Sequence, residues 1–507
     1  MTYMLDNVIY GFSVAFTPFN LIIAFVGCLV GTVVGVLPGL GPTGTIAILL
    51  PLVFSMPASS ALIMLAAVYY GAMYGGSTTS ILVNIPGESA SVVTTLDGHK
   101  MALQGRAGPA LAICAIGSFV AGTFSIIILT FIGAPVAGFA LRFGPAEFFS
   151  LMIFGLSTVA SLTGKSVAKA IISTTLGLMM ATIGIDLVSG APRYTFGNPF
   201  LLDGIDFVVV AIGMFAVSEV IITAEELRTG KRGQIVKAKR LWVSIKEFVY
   251  SIGAIVRGTV IGFFVGILPG AGATLASFLS YDIEKRLAKH PEKFGEGEIR
   301  GVASPESANN AASGGALLPL LTLGIPGGGA TAVMLGALMM LGITPGPLLF
   351  QKHPDLVWGL IASMYLGNLM LVVLNWPLVN LFARIMYIPA RYLMPIVLVI
   401  STIGVWSLNH SKMDLVMMGV CGAIGYYMRQ HDYPLAPVLL GLILGGRMEQ
   451  SFRQALILSR GNTLIFLQKP ISVVLLIGAL LFLVLPYLLE KSRRLGLARE
   501  AALDDDI

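Results

Sequence analysis

The sequence predicts an all-α polytopic membrane protein: two inverted structural repeats with broken or re-entrant helices, plus one extra C-terminal transmembrane helix. Three observations predict it. The 507-residue chain is 56% hydrophobic and only 11% charged, whereas soluble domains carry about 25% charged residues. A Pro-Gly motif occurs twice, as G-V-L-P-G-L-G-P-T at 35–43 and G-I-L-P-G-A-G-A-T at 266–274, an offset of 231 residues. A basic stretch with no acid lies between the two copies.

Taken in order, apolar segments fall near 19–37, 44–56, 61–83, 110–132, 146–162, 168–190 and 205–223. After a polar stretch come 250–268, 273–281, 307–323, 331–350, 356–383, 393–408, 413–428, 434–445 and 471–489. A spanning helix needs about 20 apolar residues. Residues 7–87 alone, 81 positions without Asp, Glu, Lys or Arg, hold several. Segments 44–56, 273–281 and 434–445 are too short to cross and suit re-entrant or broken helices. Further pairs follow the Pro-Gly motifs: Ile85-Pro86-Gly87 with Ile325-Pro326-Gly327 at an offset of 240, Pro109 with Pro354 at 245, and Ser157-Thr158 with Ser401-Thr402 at 244. A slowly growing offset is what duplication followed by small insertions leaves. The largest insertion is the charged segment 282–300.

Seven basic residues (Arg228, Lys231, Arg232, Lys237, Lys239, Arg240, Lys246) and no acid mark 228–246, so the positive-inside rule makes this linker cytoplasmic. The N-terminus, without basic residues, is expected outside. The first half then crosses an odd number of times, and the second half is inverted relative to it. The last span returns a tail with Lys491, Arg493, Arg494 and Arg499 to the cytoplasm. The expected divisions are a first transmembrane repeat at 1–227, the linker at 228–246, a second repeat at 247–446, and a C-terminal helix and tail at 447–507.

Several function classes are excluded. Gly39-x-Gly41-x-x-Gly44 imitates a dinucleotide fingerprint, but that motif needs a preceding strand and a βαβ unit. The second copy has Leu275 where the third glycine would be. Gly164-Lys165-Ser166 lacks the first P-loop glycine, with Val159 in its place. No H-E-x-x-H or G-x-S-x-G occurs, and Cys28, Cys114 and Cys421 are scattered in apolar runs. Neither an enzyme nor a cofactor is expected, and no metal beyond a possible Na⁺.

The candidate residues cluster at the interruptions, because paired breaks in two halves of a membrane protein mark a binding site. Pro38 and Pro269 stop a helix, since proline donates no backbone hydrogen bond. Pro86, Gly87, Pro326 and Gly327 form a second pair of breaks. Carbonyls freed around Gly39, Gly41, Gly270 and Gly272 can take a cation, while the helix starts that follow, with Thr43 and Thr274, can face an anion. The plainer reading is close helix packing of small residues. Ser77, Thr78 and Thr79 with Asn84 put hydroxyls and an amide in a membrane segment, and Tyr70, Tyr74, Ser77 and Thr78 share a helical face. Such hydroxyls also bond simply to their own helix. Ser304 and Pro305 read as N-cap and first residue of a helix. Glu306, Asn309, Asn310 and Ser313 then form one polar stripe, although an acid also suits a helix start. Thr43, Ser77, Thr78, Thr79, Asn84, Thr274, Asn310 and Ser313 are the substrate-binding candidates. Gly39, Gly41, Gly270, Gly272, Glu306 and Asn309 are the candidates for a coupling ion, Na⁺ or H⁺. Glu88 either caps the next helix or lies at the mouth of the site.

At these residues the chain resembles the large membrane subunit of the tripartite tricarboxylate transporters, the TctA family. The resemblance rests on G-V-L-P-G-L-G-P-T, Y-G-G-S-T-T-S-I-L-V-N-I-P-G-E, T-L-D-G-H-K-M-A at 95–102 and A-S-P-E-S-A-N-N-A-A-S-G-G, and covers about 15–445. It implies a bacterial inner-membrane secondary transporter for a carboxylate: a tricarboxylate such as citrate, or a related di- or aromatic acid. It also implies an ion gradient as the driving force and two partners, a small TctB-like membrane subunit and a TctC-like periplasmic binding protein. The competing readings are a stand-alone carboxylate carrier and a membrane-embedded enzyme. The latter needs a nucleophile–base set or metal ligands, which the sequence lacks.

Overall fold

The structure, a computed structural model, describes residues 2–37, 41–162, 166–186, 189–229, 236, 241–388 and 390–484. The first half runs α1 (Thr2–Ala15), α2 (Pro18–Gly35), α3 (Gly41–Val53), α4 (Ala58–Val83), α5 (Val92–Met101), α6 (Ala107–Ala140), α7 (Pro145–Leu162) and α8 (Val167–Ala181). A short hairpin follows, β1 (Gly184–Ile185) with β2 (Pro192–Arg193), then α9 (Phe207–Ala211) and α10 (Ser218–Thr229), joined by a π-helical turn, Ile212–Val217. The second half runs α11 (Ile245–Ile267), α12 (Gly272–Leu287), α13 (Arg300–Leu323), α14 (Gly329–Met340), α15 (Leu349–Lys352), α16 (Pro354–Asn375), α17 (Val379–Ala383), α18 (Ala390–Asn409), α19 (Lys412–Gln430) and α20 (Ala436–Leu458). The described part closes on α21 (Ile465–Gln468) and α22 (Pro470–Val484). Among the described residues, eight helices are long and apolar enough to cross a membrane.

Glycines decide which helices touch. Carbons built on Gly27, Gly31 and Gly35 of α2 would lie 2.8, 2.4 and 2.5 Å from the carbonyl oxygens of Met64, Val68 and Ala72 on α4. On Gly258, Gly262 and Gly266 of α11 they would lie 2.2, 2.2 and 2.3 Å from those of Ser304, Ala308 and Ala312 on α13. Any larger side chain would force the backbones apart, which is how small residues permit close helix packing in a membrane. Each pair is parallel, because both residue numbers rise together. The glycines are related by the offset of 231 and their partners by the offset of 240. The repeat read from the motifs is therefore also a repeat of packing. Two further contacts behave alike: Gly177 of α8 packs on Gly441 of α20, and Gly422 of α19 packs near Gly213 of the π turn.

The helix ends repeat too. α4 stops at Asn84 in the left-handed conformation (φ 62°) and α13 at Gly324 (φ 70°), 240 residues on. The next turns are capped through Glu88 and Ser91 in one half and through Gly328 and Thr331 in the other. Where the halves meet, α4 and α13 run antiparallel. Tyr70 lies against Gly314, while Ser77 bonds Glu306. One end of the bundle carries the linker: the Val236 amide donates to the Leu82 carbonyl at 2.9 Å, and the Trp376 indole donates to the Leu241 carbonyl at 2.8 Å.

Two expectations are corrected. Ser304 is not an N-cap. The helix begins upstream at Arg300 and carries Pro305 inside it. The cause is Asp97, whose carboxylate accepts the backbone N–H groups of Gly295, Gly297 and Glu298 and the Tyr281 hydroxyl. That anchor orders the turn ahead of Arg300 and lets the helix start earlier; Pro305 then falls in its second turn and donates no hydrogen bond to the Gly301 carbonyl. The segment at 434–445 is not a short re-entrant piece but the first half of the 23-residue α20. Its later charges are paired with the hairpin region, Arg453 with Asp186 at 2.7 Å and Glu449 with Arg193 at 2.8 Å. The remaining short segments do form short helices, with α3 of 13 residues.

Candidate functional site

The breaks lie where the motifs place them. α2 ends at Gly35 and α3 begins at Gly41; α11 ends at Ile267 and α12 begins at Gly272. Pro38 and Gly39 lie outside the described residues, whereas Pro269 is buried and Gly270 is packed on Val159. Gly41 and Gly272 both have φ near +60°, at 57° and 60°. A side chain at either would meet nothing within 4 Å, so backbone conformation, not space, is what glycine supplies there.

The two halves meet reciprocally at these loops. The Ser89 hydroxyl lies 2.9 Å from the Thr274 hydroxyl. Its counterpart 240 residues on is Gly329, where an added carbon would lie 3.0 Å from Thr43, the counterpart of Thr274. A carbon on Gly328 would lie 3.7 Å from the Gly272 Cα. Gly87 is pressed between the Gly35 carbonyl and Gly76, with Thr79 beside it, and Gly327 between Gly266 and Ala316. Pro86 and Pro326 precede these close approaches. The helix starts carrying Thr43 and Thr274 thus share one region with both second breaks.

Beside it lies a buried polar cluster. Glu306 is fully buried, and its carboxylate accepts from Ser77 of α4, Thr94 of α5 and, at 3.3 Å, Asn309. Asn310 donates to Ser118 at 2.7 Å, to Asn309 and to the Glu306 carbonyl, and Ser313 donates to the Asn309 carbonyl. Glu88 lies over Gly76, one residue before Ser77. One of its carboxylate oxygens accepts from the Ala90 amide at 2.5 Å. Glu88 therefore caps the next turn and also lies at the site. Among the described residues, neither carboxylate pairs with a Lys or Arg. The other oxygen of Glu88, the Asn310 carbonyl oxygen and the Tyr70 hydroxyl are buried with no hydrogen-bond partner. Buried polar atoms are nearly always satisfied, so each of the three has hydrogen-bonding capacity to offer a ligand, ion or water. A cavity of about 10 Å³, the space of one small ion or water, has Tyr74, Ser77, Thr78, Ser118 and Asn375 in its lining. Asn84 sits apart, exposed and occupied as the left-handed cap of α4.

Sequence reasoning assigned no role to Asp97, Thr94, Ser118, Asn368 or Asn375. Asn368 accepts from the Tyr74 hydroxyl at 2.6 Å and donates to Thr123, and Asn375 donates to Thr32. The two amides are seven residues apart on one face of α16, a signal visible in an otherwise apolar run.

These features define a multi-pass membrane protein whose two interrupted helices converge beside buried carboxylates that pair with no Lys or Arg among the described residues. The chain belongs to the tripartite tricarboxylate transporter TctA family, whose sequence profile matches residues 21–440. This is a family of transporters, not enzymes. A 52.8 kDa protein from the TAR-I ttuC′ 3′ region of Agrobacterium vitis is 46% identical over 473 residues, covering 93% of this chain and 94% of its own length. A second Agrobacterium vitis protein, from the TAR-II ttuC′ 3′ region, is 46% identical over 215 residues, 42% of this chain and 89% of its own length. No solved structure matches.

Proposed function

We propose that this chain is the large subunit of a binding-protein-dependent secondary transporter that imports a carboxylate across the bacterial inner membrane. The carboxylate is a tricarboxylate such as citrate, or a related di- or aromatic acid. The observation that carries the reading is the pair of buried carboxylates, Glu88 and Glu306, beside the meeting point of two broken helices, with no basic side chain among the described residues to neutralise them. A buried carboxylate must be paired, be protonated or hold a cation. Na⁺ or H⁺ is the natural partner, and a cation bound there favours an anionic substrate at the neighbouring helix starts. Ion and substrate then bind cooperatively.

The two halves act as inverted repeats. The antiparallel course of α4 and α13 and the reciprocal contacts Ser89–Thr274 and Gly329–Thr43 support this. The linker end of the bundle faces the cytoplasm and the N-terminus the periplasm; the basic tail, outside the described residues, lies in the cytoplasm. A TctB-like small membrane subunit and a TctC-like periplasmic binding protein complete the system. Reconstitution of all three components in proteoliposomes, with imposed Na⁺ or pH gradients, tests the proposal. Uptake should need a gradient and the binding protein, and no ATP. Undiminished uptake without the binding protein would make it a stand-alone carrier, and product formation without any gradient would make it an enzyme.

A further inference from the structure

We propose that the large cavity at the Gly324 end of α13 is an anion-receiving vestibule, with Arg447 and Lys352 drawing carboxylates toward the Pro-Gly loops. The inference rests on the carboxylate-transport reading and assigns a site on the end of the bundle opposite the linker. The cavity measures about 710 Å³, within the range of small-molecule sites. Its charged and titratable lining consists of Lys352, His353 and Arg447, and neither Asp nor Glu contributes. Arg447, Gln450, Ser451 and Gln454 line it from one face of α20, at helical spacing.

The charges on the neighbouring face explain why Arg447 stands alone. Arg193 and Arg453 bind Glu449 at 2.8 and 2.5 Å, and Arg453 also binds Asp186. Glu449 and Asp186 are thereby paired. Arg447 is half-buried and makes no hydrogen bond or ion pair among the described residues. A guanidinium offers a planar fork of donors that matches a carboxylate, and leaving it unpaired is costly unless an anion arrives. The cavity wall includes Gly324 and Ile325, which lead directly into the Pro326–Gly327 break. An anion held at Arg447 is thus at the doorway of the loop region.

A lipid phosphate shares this chemistry, so the test separates the two sources. Thr344 is exposed within the cavity, and the native Cys28, Cys114 and Cys421 are buried. Thr344→Cys in full-length protein, in phosphatidylcholine vesicles, would be labelled with anionic sulfonatoethyl or cationic trimethylammonioethyl methanethiosulfonate. Relative to each reagent's own rate with a free thiol in solution, the anionic reagent should react about tenfold faster, as focusing of a local field predicts. The preference should survive Arg447→Lys and disappear in Arg447→Gln/Lys352→Gln. Millimolar citrate, succinate or benzoate should slow the labelling. Equal rates for the two reagents after that normalisation would overturn the proposal. So would protection by added phosphatidylglycerol with no effect of any carboxylate, which would make the cavity a lipid site. Because the readout does not involve uptake, its failure is distinct from failure of the transport reading.

Discussion

Replacing Glu306 by Gln keeps the side chain's shape and removes its charge. In the structure this carboxylate has two close hydroxyl donors, Ser77 and Thr94, and a longer one from Asn309 at 3.3 Å. Gln retains one acceptor oxygen, and a hydroxyl can rotate to accept from its new NH₂ group. The fold should therefore lose no more than the charged character of about two hydrogen bonds, on the order of 1–3 kcal/mol in total. The proposed ion would lose more, because one of the two buried carboxylates available to it, Glu306 and Glu88, is gone. If one charge-assisted contact to the ion is worth about 1.5–3 kcal/mol, apparent ion affinity should fall about tenfold to a hundredfold. Gradient-driven uptake in proteoliposomes, titrated with Na⁺ at fixed pH and with pH at fixed Na⁺, measures this. Thermal unfolding in detergent shows whether the variant is folded. A folded Glu306→Gln protein with unchanged ion dependence would refute the coupling role and leave Glu306 as a structural residue.

Gly41→Val and Gly272→Val should abolish uptake while leaving membrane insertion intact, because each strains a left-handed residue by roughly 1–2 kcal/mol; near-normal uptake in both would leave the loops only a packing role. Gly262→Ala should act differently, since its new methyl would lie 2.2 Å from the Ala308 carbonyl oxygen. Thermal stability should fall by about 1–3 kcal/mol, and an unchanged melting temperature would contradict the close contact. Asn309→Ala and Asn310→Ala should lower apparent affinity for ion or substrate without preventing expression, as read by uptake titrations. Impermeant cysteine labelling of intact spheroplasts should modify Met4→Cys and spare Lys246→Cys; labelling of position 246 from outside would remove the inverted arrangement.

Much of the scaffold was legible because its causes are local. Proline and glycine end helices whatever surrounds them, so the breaks at 35–41 and 267–272 could be read directly. The offsets of 231 and 240 could be read because packing at Gly31 and Gly262 demands small residues in register. What stayed hidden depended on partners distant in sequence. The start at Arg300 needs Asp97, about two hundred residues earlier, to hold the preceding turn. The length of α20 needs Asp186 and Arg193 to pair its charges. Glu88 looked ambiguous because its two oxygens do different things, one capping a turn and one lying buried without a partner.

The places where the two halves differ say more about function than the places where they agree. Applying the offset of 240 to Ser77, Thr78 and Thr79 gives Leu317, Leu318 and Pro319; applying it backwards to Glu306, Asn309 and Asn310 gives Ala66, Tyr69 and Tyr70. Each polar run therefore has an apolar or aromatic counterpart. Because α4 and α13 cross antiparallel, the two polar runs face each other near the linker end instead of spreading over both ends. The positively lined cavity lies at the opposite end, by Gly324. A symmetric frame can rock between two equivalent states, but a symmetric charge distribution would give cargo no direction-dependent handholds. Here cationic groups stand at one end, uncharged helix starts lie at the crossing, and buried acids lie toward the other end. An anion entering past Arg447 would meet Thr43 and Thr274 before approaching the carboxylates, and it could approach them closely only with a cation already bound there. On the proposed function, that ordering would tie substrate movement to the ion by electrostatics.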